Sequence, residues 1–167
     1  MNTKRNTIYL MLGSNMGDTF ENLRQARKHI AADIGNITKT SHFYETEPWG
    51  LKDQSDFLNQ AVRVLTTLSP NQVLFACKDI EAKMGRTVTR TWGERNIDID
   101  LLFYESKVIR EKNLVVPHLE IQDRNFVLIP MLELAPEYVH PVFDKTIEEL
   151  YDESKDMLEV IMLDNEF

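Results

Sequence analysis

Arg95-Asn-Ile-Asp-Ile-Asp-Leu-Leu-Phe103 alternates polar and apolar residues and then turns wholly apolar. That pattern predicts a β-strand running into a core. Successive strand side chains point to opposite faces, so Asp98 and Asp100 share one face while Ile97, Ile99 and Leu101 share the other. Two residues of rise put the carboxylates roughly 7 Å apart, with their tips free to converge. Aspartate is rare in strands, and like charges on one face repel. A cation between them resolves the conflict, and Mg²⁺ suits it, being a hard ion that takes oxygen ligands and keeps waters or phosphate oxygens. The plainer reading is an edge strand whose charged face meets water. The surroundings favour the cation: Arg86, Arg90, Arg95, His118 and Arg124 lie close by in sequence. Paired carboxylates beside several arginines are the components of metal-assisted phosphoryl transfer.

The rest of the composition fits a small-molecule site. The 167 residues suit one domain, read here as 1–167, and 43% hydrophobic content is ordinary for a globular protein. A net charge of −8 argues against nucleic acid or an anionic membrane as a partner. Cys77, the single cysteine, has no disulfide partner and no zinc-type spacing, and reads as a small buried hydrophobe in a helix. The apolar run Ile8 to Leu12 is too short for a signal peptide or a membrane span, so the expected setting is the reducing cytoplasm, with a monomer as the default state.

Working outward, Ile8 to Leu12 predicts a buried first strand, closed by a turn at Gly13-Ser-Asn-Met-Gly17. Asp18 caps a helix whose apolar stripe runs from Phe20 to Ile34, with Gly35 as its end. Ile37 to Thr46 reads as one long strand, and Glu47 to Asp56 as a loop holding Trp49. Phe57 to Thr67 is a further strand whose alternation is imperfect, suggesting a bulge; Asn59 within it needs polar partners if buried. Ser69-Pro-Asn-Gln72 starts a second helix that Gly85 ends, and a polar, basic loop leads from Arg86 into the Asp98 strand. Beyond it come a turn at Glu105 to Lys107, a helix over Arg124 to Leu134 with Pro130 as a kink or restart, and a short helix at Thr146 to Tyr151. The tail from Asp156 could be strand or helix. The order is that of an α+β, ferredoxin-like βαββαβ antiparallel sheet, helices packed on one face, with a C-terminal extension. Its Asp98 strand should pair beside the first.

Seven short motifs occur in order: Gly13-Ser-Asn15, Tyr44-x-Thr-x-Pro48, Asp56-x-Leu-Asn59, Trp92-Gly-x-Arg95, Asp98-Ile-Asp100, Pro117-His118 and Arg124-x-Phe126. Together they resemble the 6-hydroxymethyl-7,8-dihydropterin pyrophosphokinases of folate biosynthesis, over nearly the whole chain. The resemblance implies transfer of the terminal pyrophosphate of ATP to the pterin hydroxymethyl group, with release of AMP. It implies that Asp98 and Asp100 hold two Mg²⁺ ions on the nucleotide, and that Thr46, Pro48, Trp49, Phe57, Asn59 and Phe126 line a pterin pocket. It places Arg86, Trp92 and Arg95 in a catalytic loop, and His118 and Arg124 on ATP. Val88 stands where the family often has a second arginine, with Arg90 the nearest substitute, and Glu94 stands where proline is common.

Two other readings compete. A ferredoxin-like module stacking single-stranded RNA on sheet aromatics is opposed by the charge and the strand carboxylates. An ordinary kinase would release ADP instead of AMP. No Walker A sequence is present, so metal and side chains must hold the phosphates.

Overall fold

The fold follows from what covers each face of a central sheet. A computed structural model describes residues 4–48, 50, 52–85 and 95–164. β1 (Asn6–Ser14) leads into α1 (Thr19–Asp33), then β2 (Gly35–Thr40), β3 (Tyr44–Thr46), β4 (Phe57–Thr66) and α2 (Pro70–Lys83). β5 (Asp98–Tyr104) is followed by the hairpin of β6 (Ile109–Arg110) and β7 (Val115–Val116), then α3 (Asn125–Leu134). A second hairpin, β8 (Val139–His140) with β9 (Lys145–Thr146), leads to α4 (Ile147–Glu153) and the last strand, β10 (Val160–Met162).

Among the described residues one six-stranded antiparallel sheet runs β10-β3-β4-β1-β5, with β2 also paired to β4. The Asp98 strand lies beside the first, as its pattern required. The expected single strand over Ile37 to Thr46 is two strands end to end along β4. Ser41 makes the break. Its N–H donates to the Ala61 carbonyl at 2.9 Å, and its hydroxyl accepts the Ala61 N–H at 3.0 Å, so a side chain satisfies a main-chain group at the kink.

The helix starts hold. Asp18 accepts the Glu21 N–H, and Ser69 and Gln72 form a capping box. Gly35 does not end α1 in a left-handed turn; it opens β2, where a Cβ would lie 2.1 Å from the Leu65 carbonyl oxygen. Close strand approach demands the glycine there. Nor does β4 bulge against β1, with which its register is unbroken. Its irregular pattern comes from Gln60, buried but bonded to Arg27 at 3.1 Å and to the Ser41 carbonyl at 2.7 Å. The irregularities lie elsewhere in the sheet: Leu102 is the extra residue between Leu101 and Phe103 in the β1–β5 pair, and Thr38 the extra residue between Ile37 and Lys39 where β2 pairs with β4.

Helices cover both faces of the sheet, where the sequence suggested one. α1 and α2 pack Leu23, Ala26, Ile30, Val73, Cys77 and Ile80 against Ile8, Leu10, Leu12, Val62 and Val64. On the opposite face α3 and α4 bring Val127, Leu128, Met131, Ile147 and Leu150 onto Tyr9, Ala61 and Phe103. α3 runs through Pro130 without a break. The tail resolves as strand: β10 pairs antiparallel with β3 and takes the sheet edge. No helix among the described residues is long and apolar enough to cross a membrane.

Candidate active site

The α3 face of the sheet is only half covered, and the open half carries the polar strand residues. Gly13 of β1 pairs with Asn59 of β4 on one side and Asp98 of β5 on the other; the next rung pairs Met11 with Ala61 and Asp100. A cavity of about 340 Å³ opens over these rungs. A Cβ on residue 13 would lie 2.8 Å from the Asn59 amide oxygen, so glycine here leaves room for that side chain and for whatever it reads.

Of the residues singled out from sequence, Thr46, Phe57, Asn59, Arg95, Asp98, Asp100, His118, Arg124 and Phe126 line this cavity. Pro48 is buried and does not line it. Trp49, Arg86 and Trp92 lie outside the described residues. Met11, Glu47, Lys78 and Glu120 line it without having been singled out. Met11 had a signal, since it sits two residues before Gly13 on the same strand face.

The cavity has two ends of different chemistry. At one, the aromatic side chains of Phe57 and Phe126 share the lining with Asn59, whose amide donates to the Thr46 hydroxyl at 2.7 Å. That fixed amide can read the polar edge of a flat heterocycle. At the other end the charges gather. The Arg95 guanidinium reaches Asp98 at 2.9 Å. Arg124 pairs with Glu120 and lies 5.6 Å from the Phe126 ring centroid, joining the two ends. The His118 N–H donates to the Leu102 carbonyl at 3.1 Å, which holds His118 along β5. Burial, then the nearby Arg124 charge, lower the His118 pKa, so its ring is neutral near pH 7.

Asn15 assembles this end. Its amide donates to Gln54 at 2.9 Å and to the Ser55 carbonyl at 3.0 Å, while its side-chain oxygen accepts the Arg95 N–H at 2.8 Å. One buried side chain thus ties the end of β1, the approach to β4 and the approach to β5. Glu81 of α2 does similar work beneath. It is 3% exposed, accepts the Ile99 N–H at 2.8 Å, and pairs with Lys78 at 3.5 Å. Ile99 is the residue between the two aspartates, so a buried carboxylate anchors the Asp-Ile-Asp backbone. Its signal was its place in the apolar α2 stripe, one turn beyond Cys77.

Burial, then the Asp98 charge, then Glu81, push the Asp100 carboxyl up to about 7. A carboxylate held so against its own preference is one that a cation would stabilise. Among the described residues no three His, Cys, Asp or Glu side chains gather as a metal cage. Two aspartates alone suit Mg²⁺ delivered with a phosphate chain, since that ion takes one or two carboxylates and fills its octahedron with water and substrate oxygens. By contrast Cys77 is inert, its thiol pushed up to about 12 by burial and the Glu81 and Asp100 charges.

The model of the 7,8-dihydro-6-hydroxymethylpterin-pyrophosphokinase family matches residues 9–136. This chain belongs to that family. It is 38% identical over 148 residues to the 2-amino-4-hydroxy-6-hydroxymethyldihydropteridine pyrophosphokinase of Aquifex aeolicus, covering 89% of this chain and 92% of that one. The Methylorubrum extorquens protein of the same name is 46% identical over 132 residues, 78% of this chain and 84% of that one. A crystal structure of Plasmodium falciparum HPPK-DHPS with pteroate superposes at a TM-score of 0.75 and 20% identity over 92% of this chain; the chain spans 43% of that longer protein, and the likeness is one of fold. Membership in the pyrophosphokinase family makes this chain an ATP-dependent diphosphotransferase of folate synthesis, acting on small molecules.

Proposed function

We propose that the open half of the sheet is where pyrophosphate passes from Mg-ATP to the hydroxymethyl group of 6-hydroxymethyl-7,8-dihydropterin, releasing AMP. The observation carrying this is the Asn59–Gly13–Asp98 rung, which sets an aromatic, amide-edged slot beside the acidic end of one cavity. Phe57 and Phe126 sandwich the pterin, and Asn59 with Thr46 reads its polar edge. The pterin's hydroxyl then points along the sheet toward Asp98 and Asp100.

In the reaction the pterin oxygen bonds to the β-phosphorus of ATP. The bond from that phosphorus to the bridging α-oxygen breaks, AMP departs with the bridging oxygen, and the hydroxyl proton is released. Asp98 and Asp100 hold two Mg²⁺ ions, which neutralise charge on the phosphate oxygens. Arg95, fixed through Asn15 and Asp98, and Arg124, fixed through Glu120, place further positive charge at the phosphates. Neutral His118 donates or accepts a hydrogen bond there without adding charge. Arg86 and Trp92 act from the loop before β5. The main contribution of the fold is therefore to hold two reactants and several charges in one arrangement.

Incubation with Mg-ATP and the dihydropterin, followed by nucleotide separation, tests this. AMP is expected; ADP, or unchanged ATP, overturns it. We further read residues 1–167 as one pyrophosphokinase domain, acting as a monomer in the cytoplasm. The run β5-β1-β4, with β2 and β3 taken as one interrupted strand on the far side of β4, supports a ferredoxin-like core.

A further inference from the structure

The C-terminal segment from Ser154 to Leu163 lies beyond the residues matched to the family model, yet it touches both walls of the aromatic slot. On one side β10 pairs with β3, setting Val160 opposite Thr46, and the Glu159 N–H donates to the Glu47 carboxylate at 3.0 Å. Thr46 and Glu47 both line the cavity. On the other side the same segment reaches the start of α3. The Asn125 N–H donates to Asp156 Oδ2 at 2.8 Å, and the Asn125 amide donates to the Asp156 carbonyl at 3.2 Å.

α3 needs this. Its own N-cap, Arg124, makes no side-chain cap bond, because a guanidinium has only donors and cannot accept a helix N–H; that side chain lines the cavity and pairs with Glu120. A helix start leaves N–H groups without intrahelical partners, and a carboxylate from elsewhere in the chain takes one of them here. The other Asp156 oxygen, Oδ1, accepts the Leu158 N–H at 3.0 Å, which turns the segment toward β3. Both carboxylate oxygens are thus in use, one on the start of α3 and one within the segment that leads to β10. Asn125 directly precedes Phe126, so fixing its N–H fixes the residue that carries the ring, while the Arg124 guanidinium is held separately by Glu120.

We propose that Asp156 is a positioning residue for the pterin: through the Asn125 N–H it sets the distance between Phe126 and the Thr46–Asn59 wall. This rests on the pterin occupying that slot. Asp156 touches no reacting atom, so its loss loosens the slot and weakens pterin capture while the phosphate end keeps its geometry.

The test is steady-state kinetics on the full chain with each substrate varied in turn, alongside thermal melts. Asp156→Ala should raise the KM for the dihydropterin about tenfold, the size of one lost charge-assisted hydrogen bond, with kcat and the KM for ATP changed less than about twofold. Asp156→Asn keeps an acceptor for the Asn125 N–H and should restore most of the pterin KM. Asn125→Pro approaches from the other side. It removes the donor at the first helical position, where proline is tolerated, and Arg124 already has the extended backbone that proline prefers before it. It should shift the pterin KM as Asp156→Ala does, and the two together should shift it no further.

An active wild type with an unchanged pterin KM in Asp156→Ala overturns the inference alone. So does a loss spread equally over both KM values and kcat, which marks general destabilisation. A wild type that releases no AMP removes the pyrophosphokinase reading, and this inference with it.

Discussion

The two halves of the sheet's α3 face are built from the same three strands and differ in almost everything else. In the covered half β1, β4 and β5 present Tyr9, Ala61 and Phe103, sealed under α3, α4 and Tyr138. Further along the same strands they present Gly13, Asn59 and Asp98, and among the described residues no helix covers them. Phe103 lies 4.5 Å from the Tyr138 ring and 6.3 Å from Tyr9, in the angled geometries that aromatic pairs favour. The open half instead gathers Asp98, Asp100 and Glu81, whose charges oppose one another. One end of the face is thus optimised for packing, while the other holds an arrangement that costs stability and suits a metal-bound substrate. Substitutions on a single strand should therefore separate the two properties.

The largest effect is expected at the aspartates. Asp98→Ala or Asp100→Ala should lower kcat/KM by roughly a thousandfold or more, as removing a charge-stabilising group at a reacting centre does. The melting temperature should not fall in Asp100→Ala, because a mutual repulsion goes with the side chain, whereas Asp98→Ala also loses the ion pair with Arg95. Turnover near wild type in either variant would remove the metal-holding role. A melting temperature lowered by many degrees would instead show that the open half supports the fold.

Phe103→Ala, three residues beyond Asp100 on the same strand and facing the covered half, should do the reverse. A fully buried phenylalanine costs about 3–5 kcal/mol when truncated. The measurement is denaturant unfolding beside activity corrected for the folded fraction, with substrate KM values expected within about twofold of wild type. Selective loss of pterin affinity would mean that the two halves are mechanically one.

This division explains what was legible in the sequence. Asp98-Ile-Asp100 could be placed on one strand face because a period of two needs no tertiary knowledge, and Asn59 stood out as polar in an apolar run. The caps at Asp18 and Ser69 are local chemistry and read directly. What escaped depends on partners distant in sequence. The interruption at Ser41 is made by Ala61, twenty residues on. The side of the sheet taken by α3 depends on which face β5 leaves apolar beyond its bulge at Leu102, and a bulge reverses the count. β10 has the same composition whether it forms a strand or a helix; its register against β3 decides. Glu81 shares the apolar stripe of α2, but that it accepts the Ile99 N–H of the Asp-Ile-Asp strand depends on how α2 packs beneath β5.

A smaller effect is expected at the seam between a bare backbone and its neighbour. Gly13→Ala puts a methyl group 2.8 Å from the Asn59 amide oxygen, tighter than real contacts allow, so Asn59 must turn. Its bond to Thr46 then weakens, and the pterin KM should rise about tenfold, with the KM for ATP little changed. Calorimetric titration with the pterin alone checks this without turnover. Equal loss for both substrates would show that Gly13 serves β1 as a whole and not the slot.

The smallest effect concerns pH, and it belongs to the covered half. His140 is 2% exposed, packed against Phe103 at 5.5 Å and Phe143 at 4.7 Å between ring centroids. Burial pushes its pKa down to about 4, and its Nδ1 accepts the Val142 and Phe143 N–H groups at 3.1 and 3.3 Å, a role a protonated nitrogen cannot fill. The folded pKa lies below the unfolded one near 6.5, so the unfolded chain binds more protons between those values. Stability from this group is therefore complete above about pH 6.5 and declines as the pH falls toward about 4. His140→Asn keeps an acceptor for the same N–H groups and removes the titration. Between about pH 7 and about pH 5.7 the variant should lose about 1 kcal/mol less unfolding free energy than the wild type. Parallel slopes in the two proteins would mean that His140 is held neutral in the unfolded chain as well, or charges in the fold without penalty, and the seal over Phe103 would then owe nothing to its neutrality.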